Sequence, residues 1–130
     1  MSASKICVVV VSGSLERLQM AAMVASVAAV SEHEVLVFLS MNALPHFVKG
    51  AAAAALAEGE MGRLMAEKKA PPFKMLFEQA AALGSARIYP CSMAMDVLGV
   101  DKAALEDYLE EATGLTRFLD LASGGQVWTF

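Results

Sequence analysis

Residues 6–11, Ile6-Cys7-Val8-Val9-Val10-Val11, form a continuous run dominated by β-branched residues that ends in Ser12-Gly13-Ser14 and passes straight into a segment rich in alanine, methionine and leucine. An apolar run with no polar alternation is the pattern of a strand covered on both faces, as in a parallel sheet. The triplet after it supplies turn chemistry and a helix start, with Ser12 or Ser14 as the cap and Glu16 suited to the positive end of the helix dipole. From Leu15 to Val30, the residues Leu18, Ala21, Ala22, Ala25, Ala28 and Ala29 recur at helical spacing. A second apolar run, Val35-Leu36-Val37-Phe38-Leu39, lies within Glu34 to Ser40. Strand, helix, strand in so short a span is a right-handed βαβ unit, and it predicts a parallel α/β fold.

Beyond Ser40 the pattern is broken. Met41 to His46 reads as a helix start, and Ala51 to Ala57 is a strong helix-former run, so an interrupted second helix is expected there. Gly59, Gly62, Pro71 and Pro72 punctuate an excursion with a short helix around 62–68. Phe73 to Leu83 carries a helical apolar stripe, with Gly84 as its left-handed terminator. Ala86-Arg87-Ile88-Tyr89-Pro90 is a short strand with proline at its exit, and Cys91 to Asp96 opens another helix before Gly99. Asp101 to Ala112 reads either as a helix capped by Asp101 or as a brief edge strand over 105–109. Thr113 or Thr116 caps a last helix through Ala122, and Gln126 to Phe130 is a closing strand.

One domain spanning 1–130 accommodates all of this, because a chain of this length buries a sizeable core without staples. Apolar residues make up 57% of it, and nine glycines raise the share to about 64% against a usual ~45–50%. A domain this small cannot hide so many apolar side chains, so a homo-oligomer is expected. The longest greasy stretch, Met20 to Val30, is too short to span a membrane, and the first residues lack a signal-peptide core, so the expected location is cytoplasmic. A net charge of −4 argues against nucleic acid, whose phosphates need a basic face.

Ligands of open parallel sheets gather at the carboxyl ends of the strands. Of the turns there, the one at Cys91 offers a nucleophile: helix N-terminal amides favour its thiolate over its thiol. The competing reading is a small buried side chain filling a turn. Cys7 reads as core packing. It sits four residues, or ~13 Å, from the end of its strand, too far to pair with a cysteine at the carboxyl edge. His33 reads as a solvated turn residue, whereas His46 follows the second strand closely enough to reach Cys91 as proton acceptor or substrate contact. Two histidines and two cysteines match no zinc spacing, and the lone glycine of Ser12-Gly13-Ser14 is neither a dinucleotide fingerprint nor a P-loop, so no metal and no cofactor is expected.

The first strand, the alanine-rich helix, Val35 to Ser40, and above all Tyr89-Pro90-Cys91-Ser92-Met93-Ala94-Met95-Asp96-Val97-Leu98-Gly99-Val100 resemble the DsrE/DsrF-like family. Gly114-Leu115-Thr116-Arg117-Phe118-Leu119 is similar to that family's following helix. The resemblance implies a three-layer α/β/α domain with a mainly parallel sheet of about five strands, assembled as trimers or hexamers. It also implies sulfur relay: the cysteine matched by Cys91 takes up sulfur as a persulfide or thiosulfonate and passes it to a TusA-type or rhodanese-like carrier. Ser12, Ser92, Met93 and His46 are then the candidate substrate contacts around it. Similar proteins are sometimes labelled peroxiredoxin-like, but the threonine and arginine setting of a peroxidatic cysteine is missing here. So is a second cysteine close to Cys91, which leaves delivery to a partner thiol. Two readings from other classes stand beside this one: a structural subunit of a hetero-oligomer with Cys91 merely packed, and a module binding a small anion or nucleotide.

Overall fold

Four parallel strands, β1 (Lys5–Val10), β2 (Glu34–Leu39), β3 (Ala86–Pro90) and β4 (Gln126–Thr129), form one sheet in the order β3-β2-β1-β4. The computed structural model describes residues 4–51, 54–83 and 86–130. In register, Val8 lies beside Val37 and Trp128, and Val37 beside Ile88. β2 lies between β3 and β1 and is covered on both faces, by the helix at Leu15–Val30 on one and by Phe118 on the other, so its apolar run is buried from Val35 onward.

Alternation along the strands assigns the two faces. Helix α1 (Leu15–Val30) and helix α3 (Phe73–Ala82) pack together on the face of Ile6, Val8 and Trp128. The other face carries Phe38 and Tyr89, and Phe118 of helix α5 (Leu115–Leu121) covers them with ring centroids 4.8 Å and 6.3 Å away. Helix α4 (Ser92–Leu98) follows β3 directly and ends at Gly99, whose φ of +71° is the left-handed terminator that glycine adopts without strain. The three-layer α/β/α reading therefore holds.

The sheet has four regular strands rather than about five. Beside β3, the place of a fifth is taken by 110–113, where the Glu110 N–H donates to the Ile88 carbonyl (2.7 Å) and the Thr113 N–H to the Pro90 carbonyl (3.0 Å). The stretch before it is neither of the two elements expected. Asp101 does cap, its side chain accepting from the Ala104 N–H, but only over a 3-10 turn at Lys102–Ala104. Leu105 and Leu109 then anchor an irregular path by burial. Gly114, not Thr113 or Thr116, occupies the N-cap of α5, and the Thr113 hydroxyl instead donates back to the Glu111 carbonyl.

The largest departure is the second helix. Met41–Phe47 is 3-10, with Pro45 inside it. The described part of the alanine run is not helical at all. The Leu15 N–H donates to the Leu56 carbonyl (2.9 Å), and Ser14 bridges Leu56, so a tertiary contact holds the end of this segment out of a helix against its propensity. A short helix, α2 (Glu60–Glu67), follows, close to the expected one. Gly84, expected to terminate α3, lies outside the described residues.

Candidate functional site

Cys91 occupies the junction between β3 and α4 at the carboxyl edge of the sheet. Its backbone is fixed from both sides. The Cys91 N–H donates to the Leu39 carbonyl of β2 (2.9 Å), and Thr113 forms a parallel bridge beside it, accepting from the Ser92 N–H (3.1 Å). The Cys91 carbonyl starts α4 by accepting from the Met95 N–H (3.0 Å). Two amides of this junction are thus engaged, and among the described residues those of Met93 and Ala94 are left at this terminus without a backbone acceptor. The Cys91 side chain is only 4% exposed.

Both cysteines are free and buried. Cys7 lies in the centre of the sheet beside Leu36 and Val127, where burial pushes its thiol up from the ordinary range. Cys91 is bonded to Leu39, three residues further along β2 than the partner of Cys7, so the two belong to different levels of the sheet.

The other candidate residues divide between two compartments of the same edge. Ser12 and His46 come together in a polar cleft of about 500 Å³ over the end of β1, with Ser14, Asn42 and Glu58. Gly13 lets this corner close: a β-carbon there would fall 2.8 Å from the Asn42 carbonyl oxygen and 3.3 Å from His46 Nε2. The Ser14 N–H and the Ser12 hydroxyl bond within the turn, and Ser14 caps α1 by accepting from the Arg17 N–H. Met93 lines a second, apolar compartment of about 300 Å³ with Met41, Asn42, Pro45 and Val97. Asn42 belongs to both, whereas Cys91 lines neither. Ser92 lies toward α5, its Oγ 3.7 Å from where a β-carbon on Gly114 would be. His33 Nδ1 accepts from the Ser4 N–H (3.1 Å), away from both compartments.

One cluster goes beyond the sequence reading. The Glu16 carboxylate accepts from the backbone N–H of Glu58 (2.7 Å), Gly59 (2.7 Å) and Gly62 (3.1 Å), so it caps α2 from the first turn of α1. Those bonds hold its carboxyl below the usual range, the Glu58 amide contributing most. Glu58 is held low as well, first by the Ser14 hydroxyl (2.7 Å) and then by Arg17 (2.9 Å). Glu16 in a first turn is readable from sequence; that it serves a second helix is not.

No helix among the described residues is long and apolar enough to cross a membrane. No curated protein matches the chain. Among solved structures it is similar to the ychN protein from E. coli, at 18% identity and a TM-score of 0.71 over 99% of this chain and 100% of that one. It is also similar to MTH1491, a protein of unknown function from Methanobacterium thermoautotrophicum, at 9% identity and a TM-score of 0.58 over 98% and 99% of the two chains. These likenesses establish the fold. Residues 48–130, which hold Cys91, Ser92 and Met93 but not Ser12 or His46, match a family in their own right, and by that match the chain belongs to the DsrE/DsrF/DrsH-like family.

Proposed function

We propose that this protein is a sulfur carrier, loading sulfur on Cys91 and relaying it to a TusA-type or rhodanese-like partner. The observation that carries this is the address of Cys91. It is a free cysteine at a strand-to-helix junction on the carboxyl edge, inside the segment that matches the family. The Cys91 thiolate attacks the outer sulfur of a donor persulfide. A new sulfur–sulfur bond forms on Cys91, the donor's own sulfur–sulfur bond breaks, and the donor leaves as a thiolate. In this reading the helix N-terminal amides of Met93 and Ala94, which have no backbone acceptor among the described residues, stabilise the anionic product. Ser12, Ser92, Met93 and His46 are the proposed substrate contacts.

Assembly belongs to the same proposal. The outer side of α1 exposes Met20, Met23, Val27 and Val30, and the edge strand β4 exposes Val127 and Trp128. That apolar surface supports self-association, and the proposed assembly is a homo-oligomer, a trimer or hexamer, working in the cytoplasm.

The test is intact-protein mass after incubation with polysulfide or thiosulfate, with and without reductant, on wild type and Cys91→Ser. Reductant-reversible additions of sulfur mass confined to wild type are expected. Equal additions on Cys91→Ser would discard the mechanism. A second reading is favoured by the burial of Cys91: a structural subunit in which this thiol only packs. No adduct on folded wild type would select it.

A further inference from the structure

Residues 54–58 and helix α2 form a strap over the start of α1, and beneath it lies a cleft of about 340 Å³. Its size is that of a small-molecule site. Its walls are largely carbon, with Leu15, Ala55, Met65 and Phe73 on opposing sides. The described alanines of this wall, Ala51, Ala54 and Ala55, are not helical, and their small side chains leave the space open. A local preference overridden by the fold is the mark of a functional or strained place.

The charge of the wall is one-sided. Although the chain carries 14 acidic residues against 10 lysines and arginines, no acidic residue is among the described residues that line the cleft, while Lys69 and Lys74 both do. Lys74 is paired with Glu106 at 2.6 Å. Lys69 is exposed and has no ion-pair partner among the described residues. Its backbone is left-handed, φ +56°, at the position just past the end of α2 where glycine is the usual choice. Glu32 takes the same left-handed position after α1, so the conformation belongs to the helix end, and what Lys69 adds to the wall is its charge. The strap itself is held down by the three bonds from its backbone to Glu16.

We propose that this cleft binds a small apolar monoanion, an alkyl carboxylate or sulfonate whose chain lies between Leu15, Ala55, Met65 and Phe73 and whose charge is met by Lys69. The site is separate from Cys91, which does not line it, and it does not rest on the sulfur-carrier reading.

Isothermal titration of the full chain with octanoate, octanesulfonate and, as a cation of matched chain length, octyltrimethylammonium tests it. Saturable one-to-one binding of both anions is expected, at least tenfold tighter than the cation. Lys69→Gln, a surface change, should weaken the anions at least fivefold with an unchanged melting temperature. Ala55→Leu, which fills the cleft, should remove binding, and Cys91→Ser should bind as wild type does. Absence of saturable heat, equal affinity for the cation, or wild-type affinity in Lys69→Gln would each overturn the proposal. So would anion binding that disappears as the chain self-associates in sedimentation, which would give the cleft to a second copy instead.

Discussion

The carboxylate of Glu16 fills the space that a side chain on Gly62 would need: a β-carbon built on Gly62 would lie 2.5 Å from Glu16 Oε1, while the Gly62 N–H donates to Glu16 Oε2 at 3.1 Å. A side chain at 62 would push this flexible carboxylate aside and cost it its bonds to the α2 terminus. Gly62→Ala should therefore destabilise the fold by about 0.5–1.5 kcal/mol through the lost capping bonds, less whatever alanine returns in helix propensity. Thermal melts of Gly62→Ala, Glu16→Ala and the double variant check this, with the alanine at 62 expected to cost less once the carboxylate is gone. Additive losses would break the link between the two residues.

Acid should loosen the same latch. Glu16 and Glu58 are both held below the ordinary carboxylate value of 4.5, Glu16 mainly by the Glu58 amide and Glu58 mainly by the Ser14 hydroxyl. A carboxyl depressed in the folded state contributes stability that is fully present above its unfolded value and is lost as pH falls through the folded one. The melting temperature of wild type should fall as pH drops below about 4.5. Glu16→Gln should start lower and fall less steeply, and parallel curves would place the acid sensitivity elsewhere, Asp107 with its Lys49 partner being the next group to examine.

Cys7 and Cys91 should differ in reactivity. Cys7 is fully buried among the valines of the sheet and its thiol is pushed up by that burial, so iodoacetamide at pH 8 should leave it unlabelled until the protein unfolds. A sulfur-accepting Cys91 should label in the folded protein, faster than Cys7. Peptide mass mapping of short labelling times separates the two, and equal rates would remove the distinction on which the carrier role depends.

Phe118 is the side chain that closes the second face of the sheet. It is fully buried and stacks on Phe38 and Tyr89. Phe118→Ala should cost about 3–5 kcal/mol, a large part of the ~5–15 kcal/mol that holds a domain of this kind together. Urea unfolding with an unchanged m-value is the measurement. A loss below about 1 kcal/mol would mean that α5 is not what covers this face.

Elements whose signal lies within a few residues were legible before any coordinate. The Val8-Val9-Val10 run, the alanine spacing of α1, Pro90 at a strand exit and Gly99 after α4 each carry their own reason, and each lies where it was read. Cys91 was legible for the same reason, since its address is the junction of one local pattern with the next. Ser12 and His46 were named as candidates, but that they share one cleft was not foreseeable, because residues 34 positions apart meet there through the sheet.

By itself, then, the sequence determined a parallel βαβ frame and a cysteine at its carboxyl edge, because hydrophobic period, caps and turn residues act over the length of one element. Only the tertiary structure decided the path of the alanine segment, the capping of α2 by Glu16 and the cleft that this path leaves over α1. Leu56 and Glu58 bond to Leu15 and Glu16 across about 40 residues of chain, and those long-range bonds outweigh a helix propensity worth only tenths of a kcal/mol per residue.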